Sequence, residues 1–447
     1  LVLEEEELVP YTDFINKELI HFSNYDLYRS VPHLMDGFKP SQRKILYSCF
    51  KRKLKSEIRV AQLAGYVSEH SGYHHGEESL NQAIITMAQN YPGSNNIHLL
   101  EPNGQFGTRL LGGKDAGSPR YLHTVLSDIT QKIFLPEDNF VLDYLDDDGM
   151  KVEPKYYAPI IPFILCNGNK GIGTGYSTSI PSYNPKTIVK YMINKLTNKP
   201  LPSLIPYFHG FDGVTKVVNG EVFTKGRYEI INYKTILISE LPIGTWIDKF
   251  KKKLDDIVTE LNSPNKDKKT DKKTPKYTEF IGVKNYRSQS TESKAHFEIE
   301  VDPNVLHNWL KTAASIQRRK EFSDNIEKKF GLVGKISLTN MHLYSAETDA
   351  VKKYSSPEEI FEEFILYRRK IYVQRKDYIL NKLQNEMDIL SEKVRFIKYV
   401  INDTLDIRKH TKSQLQEWLE KKDFKLDDNN GYNYLIGMPM YQITKDM

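Results

Sequence analysis

Apolar positions recur along this chain in two rhythms, and the places where the rhythm changes mark its organisation. From Ser41 to Arg59 (SQRKILYSCFKRKLKSEIR), Ile45, Leu46, Cys49, Phe50 and Leu54 recur at helical spacing. Arg43, Lys44, Lys51, Arg52, Lys53, Lys55 and Arg59 fall largely elsewhere, which predicts an amphipathic helix with a basic face. Further helices are expected around Val60–Ser68 and Glu77–Gln89, giving a compact helical unit. Ile160–Leu165 (IIPFIL) is apolar enough for a buried strand, and the glycine-rich NGNKGIGTGYS follows it. Between Pro181 and Val301 short β-like runs alternate with turns, TILISELP and AHFEIEV being the clearest. Between these two lies a low-complexity, lysine-rich insert, Asn262–Lys276, read as a surface loop or as a second contact for nucleic acid.

Beyond Ser355 the pattern changes again. Ser356, Pro357 and Glu359 supply a cap, a proline at the first helical position and a capping-box acid. Neither glycine nor proline then interrupts the chain until Gly431. Leu380, Leu383, Met387, Leu390, Val394, Ile397 and Ile401 step by three and four in alternation, the signature of a coiled-coil seam. A helix over Pro357–Ile401 extends roughly 65 Å at 1.5 Å per residue and requires a partner strand.

Composition narrows the class. The 447 residues exceed one ordinary core, so two to three domains are expected. Hydrophobic content of 39% and charged content of 27% fit a soluble globular protein. A net charge of +5 is too mild to establish nucleic-acid binding, so the distribution of charge carries more weight than its total. Cys49 and Cys166 offer neither a disulfide framework nor metal-ligand spacing, which points to a reducing compartment. No apolar run is long enough to cross a membrane. The first residue is Leu1 rather than methionine, as expected of a piece of a longer protein.

Four motifs carry candidate chemistry, and each has a structural reading beside it. GNKGIGTG lacks the lysine-serine ending of a phosphate-binding P-loop; it is either a turn or a mount presenting Ile172 as an apolar wedge between DNA base steps. EHSGYHHGEE offers His70, His74 and His75, but Gly72 interrupts the helix that would align two rings on zinc. Histidines acting beside a phosphate remain as the second reading. Asp146-Asp147-Asp148-Gly149 reads as an acidic turn, without EF-hand spacing. In GGKDAGSPRYLHT, Gly112–Thr124, Arg120 precedes Tyr121 inside a glycine-flanked loop. A phenol of pKa about 10 is ionised to about one part in a thousand near neutrality, so a nucleophilic tyrosine needs a base or a cationic neighbour. An adjacent guanidinium supplies the cation and holds phosphate bidentately.

Taken together, RSVPHLMDGFKPSQRKILY (Arg29–Tyr47), VAQLAGYVSEHSGYHHGE (Val60–Glu77), GSNNIHLLEPNGQFGTR (Gly93–Arg109), GGKDAGSPRYLHT and GIGTGYS resemble the type IIA DNA topoisomerases of the eukaryotic kind. The likeness runs in order through the coiled-coil helix to YNYLIGM (Tyr432–Met438) and is least clear over about Asn184–Asn340. Tyr176 stands where relatives commonly carry tryptophan. The resemblance implies a multidomain mixed α/β fold. Its parts would be a winged-helix (helix-turn-helix) DNA-binding domain over residues 1–157, a tower domain with an intercalating loop over 158–354, and a coiled-coil arm with part of a dimer gate over 355–447.

For the site, the resemblance implies Tyr121 as the nucleophile that becomes linked to a 5′ phosphate, with Arg120 as phosphate clamp. Arg29 and His75 would support the transition state, with His74 beside them. Ile172 would be the wedge, flanked by Gly171 and Gly173, while Lys39, Arg43 and Lys44 of the basic helix position the DNA backbone. It implies double-stranded DNA as substrate, a homodimer and no membrane. Residence would be in the nucleus, or at the replication site of a large DNA virus. Magnesium and ATP would be held by Toprim and ATPase domains whose motifs are missing from these residues; the chain itself is expected to hold no metal. The rival readings are a DNA-bending scaffold and a nucleotide-binding protein.

Overall fold

The computed structural model describes residues 9–218, 221–262, 277–318, 323–427 and 431–439, with side chains from 313 to 318 and at 408 left aside. The lysine-rich insert lies almost wholly outside the described residues. The fold is mixed α/β and divides into two compact units, one up to Arg369 and the other from Lys370.

In the first unit, α1 (Tyr11–Asp13) and a π-helical stretch (Phe14–Leu19) lead into α2 (Ile20–Ser30). Then come α3 (Pro40–Lys51), β1 (Ile58–Arg59), α4 (Val60–Ser71) and α5 (Glu77–Ala88). Helices α3, α4 and α5 pack on one another because each carries an apolar stripe. Ile45, Leu46 and Cys49 meet Val60, Leu63 and Val67, with Leu80, Ile84 and Ala88 beneath, all essentially removed from water. Helix α3 ends earlier than the basic run suggests. Lys53 takes a left-handed φ of 52°, Leu54 N–H donates to Cys49 O at 3.0 Å, and the Leu54 side chain turns back into the core, as in a Schellman-type stop.

Next, β2 (His123–Thr124) pairs antiparallel with β1, followed by α6 (Asp128–Ile133) and the hairpin β3 (Tyr144–Asp147)/β4 (Met150–Pro154). Its tip is the acidic turn: Asp148 and Gly149 both take positive φ, the two-residue hairpin geometry for which Asp-Gly is suited. IIPFIL is buried as expected but helical, not a strand. It forms α7 (Phe163–Asn167), with Gly168 N–H donating to Ile164 O at 2.9 Å. Periodicity does not separate a short apolar strand from a single buried helical turn. The glycine-rich run then makes the hairpin β5 (Asn169–Ile172)/β6 (Ser177–Ile180), and α8 (Pro185–Leu196) follows, N-capped by Asn184.

A second core lies further on. Strands β7 (Val214–Val218) and β8 (Glu221–Lys225) join a three-stranded sheet completed by β13 (Val333–Ile336). Strands β9 (Arg227–Asn232), β10 (Thr235–Glu240), β11 (Val283–Ser288) and β12 (Phe297–Val301) form a four-stranded antiparallel sheet in the order β11-β12-β10-β9. TILISELP and AHFEIEV are adjacent strands here, with Ile236 opposite Ile299 and Ile238 opposite Phe297. The period of two puts all four on one face, against Ile247, Phe250, Leu254 and Ile257 of α9 (Ile247–Asn262). Helices α10 (Pro303–Arg318) and α11 (Asn325–Phe330) precede β13, and the hairpin β14 (Met341–Tyr344)/β15 (Val351–Tyr354) follows it.

Helix α12 covers Pro357–Ile401, the span predicted from its cap and spacing, and passes from the first unit into the second. Ser356 Oγ accepts Glu359 N–H at 3.3 Å, while the Glu359 carboxylate reaches back one residue further, to Ser355 N–H at 2.8 Å. In the second unit, Phe396 packs with Leu405, Phe424 and residues of α13 (Lys412–Lys421) and α14 (Asn433–Ile436). The stripe Leu380, Leu383, Met387, Leu390 and Val394 is exposed throughout.

Burial also sets a pH response. His33 is buried, stacks on Tyr156 at 4.5 Å, and its Nδ1 accepts Met35 N–H at 3.2 Å. Burial pushes the imidazole from 6.5 down to about 4. Between those values the unfolded chain binds the extra proton, so stability present above pH 6.5 is lost as pH falls towards 4. Two and a half pKa units correspond to about 3 kcal/mol. His33→Asn keeps an acceptor for Met35 N–H, and denaturant unfolding of the variant between pH 7.5 and pH 4.5 is expected to lack that part of the decline.

Candidate nucleic-acid interface

Tyr121 sits at the end of a tight turn in which its N–H donates to Ser118 O at 2.9 Å. Both Arg120 and Tyr121 are exposed, the tyrosine by 75%. Among the described residues none pairs with the guanidinium or hydrogen-bonds the phenol. A turn removes the alternation of a strand, so neighbouring side chains are free to address one group.

The backbone beneath them is fixed on both sides. Val60 N–H donates to Leu122 O at 2.9 Å and Ala61 N–H to Pro119 O at 3.2 Å, so the start of α4 holds the turn. Upstream, Asp115 accepts from Thr108 N–H at 2.9 Å and from its hydroxyl. Gly112 takes φ +64°, and a Cβ there would lie 2.2 Å from the Trp246 ring. Buried Arg109 pairs with buried Glu240 at the end of β10 and donates to Leu241 O at 2.9 Å. The loop is therefore held by its surroundings; it is no free turn.

A separate cleft of about 510 Å³ gathers Arg29, Lys39, Lys44, His74, His75 and Ile172. Arg120 and Tyr121 do not line it. Arg29 comes from the last turn of α2, makes no ion pair among the described residues, and lies 5.8 Å from the Tyr25 ring centre. Gly72, left-handed at φ +58°, stops α4 and releases Tyr73, His74 and His75 into the cleft. Partial burial, and then Arg29, His74 and Lys44, hold His75 below the usual imidazole range. Its Nε2 lies 2.7 Å from the Tyr25 hydroxyl. His74 is mostly exposed, with Asp147 3.5 Å away.

The basic helix α3 departs from its expected role. Arg43 is 2% exposed, its Nε donating to Asp36 Oδ2 at 2.7 Å and its Nη2 to Asp36 Oδ1 and Phe38 O, each at 3.1 Å. It is a buried scaffold residue and does not face a DNA backbone. The reason is register: Arg43 lies on the helix face that carries Leu46. Lys44 donates to Glu153 at 2.9 Å and to Ser71 O, so its charge is largely neutralised within the cleft. Lys39 Nζ donates to Lys170 O at 2.7 Å, and burial lowers its ammonium pKa.

Ile172 ends β5 with 86% of its surface exposed. Gly171 is buried, however, and a Cβ at this position would come within 1.9 Å of Ser30 O. Its part is close packing against α2 and not contact with DNA, which corrects the expectation. At Gly173 a Cβ would meet Leu27 at 3.1 Å. No helix opens after this run, so the phosphate-cradle reading loses its structural basis.

Tyr25 was invisible to motif reasoning, as was Asp26, whose Oδ2 accepts Thr174 N–H at 2.8 Å and its hydroxyl at 2.9 Å. Both partners are far away in sequence, and no spacing signals them. Among the described residues no group of three or more His, Cys, Asp or Glu stands as a metal-holding set, and no helix is long and apolar enough to cross a membrane. The donor set does not fit a magnesium ion.

A family model for DNA gyrase and topoisomerase IV matches residues 29–447. DNA topoisomerase 2 of Penicillium chrysogenum is 39% identical over 98% of this chain and 28% of its own length. The mimivirus (Acanthamoeba polyphaga mimivirus) DNA topoisomerase 2 is also 39% identical, over 98% of this chain and 38% of its own. A crystal structure of the Plasmodium falciparum topoisomerase II DNA-binding, cleavage and re-ligation domain superposes with a TM-score of 0.81 at 38% identity, covering 98% of this chain and 59% of that one. The chain thus spans well under half the length of these curated relatives, and with its family model matched from Arg29 onward it belongs to the DNA gyrase/topoisomerase IV family.

Proposed function

We propose that this chain is the DNA-binding and cleavage core of an ATP-dependent type II DNA topoisomerase. The observation that carries the reading is the Arg120–Tyr121 pair: exposed, unpartnered among the described residues, and mounted on a turn fixed by α4. Tyr121 Oη attacks a DNA phosphorus and gives up its proton. The P–O3′ bond breaks, O3′ gains a proton, and a 5′-phosphotyrosyl link remains. The reverse attack by O3′ reseals the strand, so cutting and rejoining balance without external energy. Arg120 stabilises phosphate charge beside the nucleophile. Arg29 and His75, with His74, act from the neighbouring cleft, and Lys39 and Lys44 line the path of the DNA backbone.

Ile172 acts as the wedge that opens a base step and bends the duplex. In this reading, residues 1–157 form the winged-helix domain, 158–354 the tower and 355–447 the coiled-coil arm, whose exposed stripe calls for a partner helix. Two copies cut opposite strands. Magnesium and ATP serve the whole enzyme from parts other than these residues. The enzyme works in the nucleus, or at viral replication sites if a large DNA virus encodes it.

The test is a detergent quench of the full enzyme with magnesium and supercoiled plasmid. DNA attached to protein through a 5′ phosphate is the expected result. Tight binding without any adduct, under every quench, would return the chain to a DNA-bending scaffold.

A further inference from the structure

An isoleucine with 86% of its surface in water is useful as a wedge only if its mount resists being pushed back. Opening a base step takes a few kcal/mol, and the hairpin tip must bear that load. Four contacts from the last turn of α2 supply the resistance. Asp26 Oδ2 accepts both Thr174 N–H at 2.8 Å and Thr174 Oγ1–H at 2.9 Å. Leu27 and Ser30 lie against Gly173 and Gly171 so closely that neither position has free room for a side chain. The same turn carries Arg29, and Tyr25 one residue before Asp26 meets His75 at 2.7 Å.

The geometry points to Asp26 as a positioning residue that locks the wedge hairpin to the helix presenting Arg29. This inference rests on the wedge reading of Ile172. It joins two parts of the reaction that the sequence keeps apart: seating of the wedge and placement of the cleft's unpaired arginine. Thr174 cannot withdraw without leaving a carboxylate whose two donors are lost, and α2 cannot shift without moving the hairpin.

Charge makes the idea testable. Asp26 is an anion near bound phosphates, so acting through its charge alone, its removal would strengthen DNA binding and leave bending intact or improved. As a positioning residue, its removal lowers bending whatever happens to affinity. Asp26→Asn separates the two, because it loses the charge yet keeps an acceptor for Thr174 N–H.

The experiment uses the full enzyme with magnesium and a short duplex labelled with donor and acceptor dyes at its ends, at saturating DNA. Bent fraction and rate of covalent adduct formation are both read. Asp26→Ala is expected to lower the bent-to-straight ratio about tenfold and to slow adduct formation in parallel, with Asp26→Asn restoring most of both. Ile172→Ala is the reference, and adding Asp26→Ala to it should cause little further loss. If Ile172→Ala lowers bending and Asp26→Ala does not, the positioning role is wrong. Losses that simply add would place Asp26 in some other task and also overturn it. If Ile172→Ala itself leaves bending unchanged, the wedge reading fails and the inference goes with it.

Discussion

Tyr121→Phe is expected to abolish the covalent DNA adduct while leaving folding and DNA binding in place. Removing the nucleophile of a covalent hydrolase has cost roughly 10⁶-fold in turnover, and a loss of that order takes the adduct below detection. The tyrosine's environment is what makes the result interpretable. Its ring is 75% exposed, and the hydrogen bond it makes comes from its backbone N–H, which phenylalanine retains. Stability should therefore stay within about 0.5 kcal/mol of wild type. Arg120→Lys keeps the charge but loses the planar fork, so it should slow adduct formation without eliminating it. Binding and bending measured on the Tyr121→Phe protein serve as the internal control. An adduct that survives in the variant would mean that another tyrosine is the nucleophile.

The elements that were legible in the sequence are those whose signals are local. Helix α12 has its cap, its starting proline and a long stretch free of breakers within one segment, so both of its ends were predictable. The strands around Ile236 and Ile299 announce themselves by alternation. IIPFIL misled because a single buried turn and a short buried strand have the same composition. Around the site, the nucleophile loop and the wedge were legible as glycine-framed presentations of one side chain. What held them was not. Asp26 meets Thr174, Arg109 meets Glu240 and Tyr25 meets His75 across long sequence separations, and no periodicity encodes such pairings. Arg43 failed for the opposite reason: a basic run suggested a solvated face, and the helix turned one of its cations inward to meet an aspartate in the preceding loop.

Arg43→Met separates these two roles of a basic helix by experiment. Asp36 is completely buried, and its carboxylate accepts Phe38 N–H at 3.0 Å and Tyr157 N–H at 2.9 Å as well as the guanidinium. Taking away the cation leaves an uncompensated buried anion, which costs about 3–5 kcal/mol of stability. A phosphate contact would behave differently. Its loss would weaken DNA binding uniformly, reduce the slope of log K against log salt by about 1, and hardly touch stability. The expected outcome is a large fall in unfolding free energy, with the salt slope of the folded fraction unchanged. Asp36→Asn alone should be similarly damaging, since it strands the guanidinium. Combining it with Arg43→Met removes both charges while the amide oxygen can still accept one of the two backbone N–H groups. That double variant should be more stable than either single one, a sign opposite to simple addition. Equal or greater loss in the double variant would mean that the pair's value lies in packing volume and not in its charges.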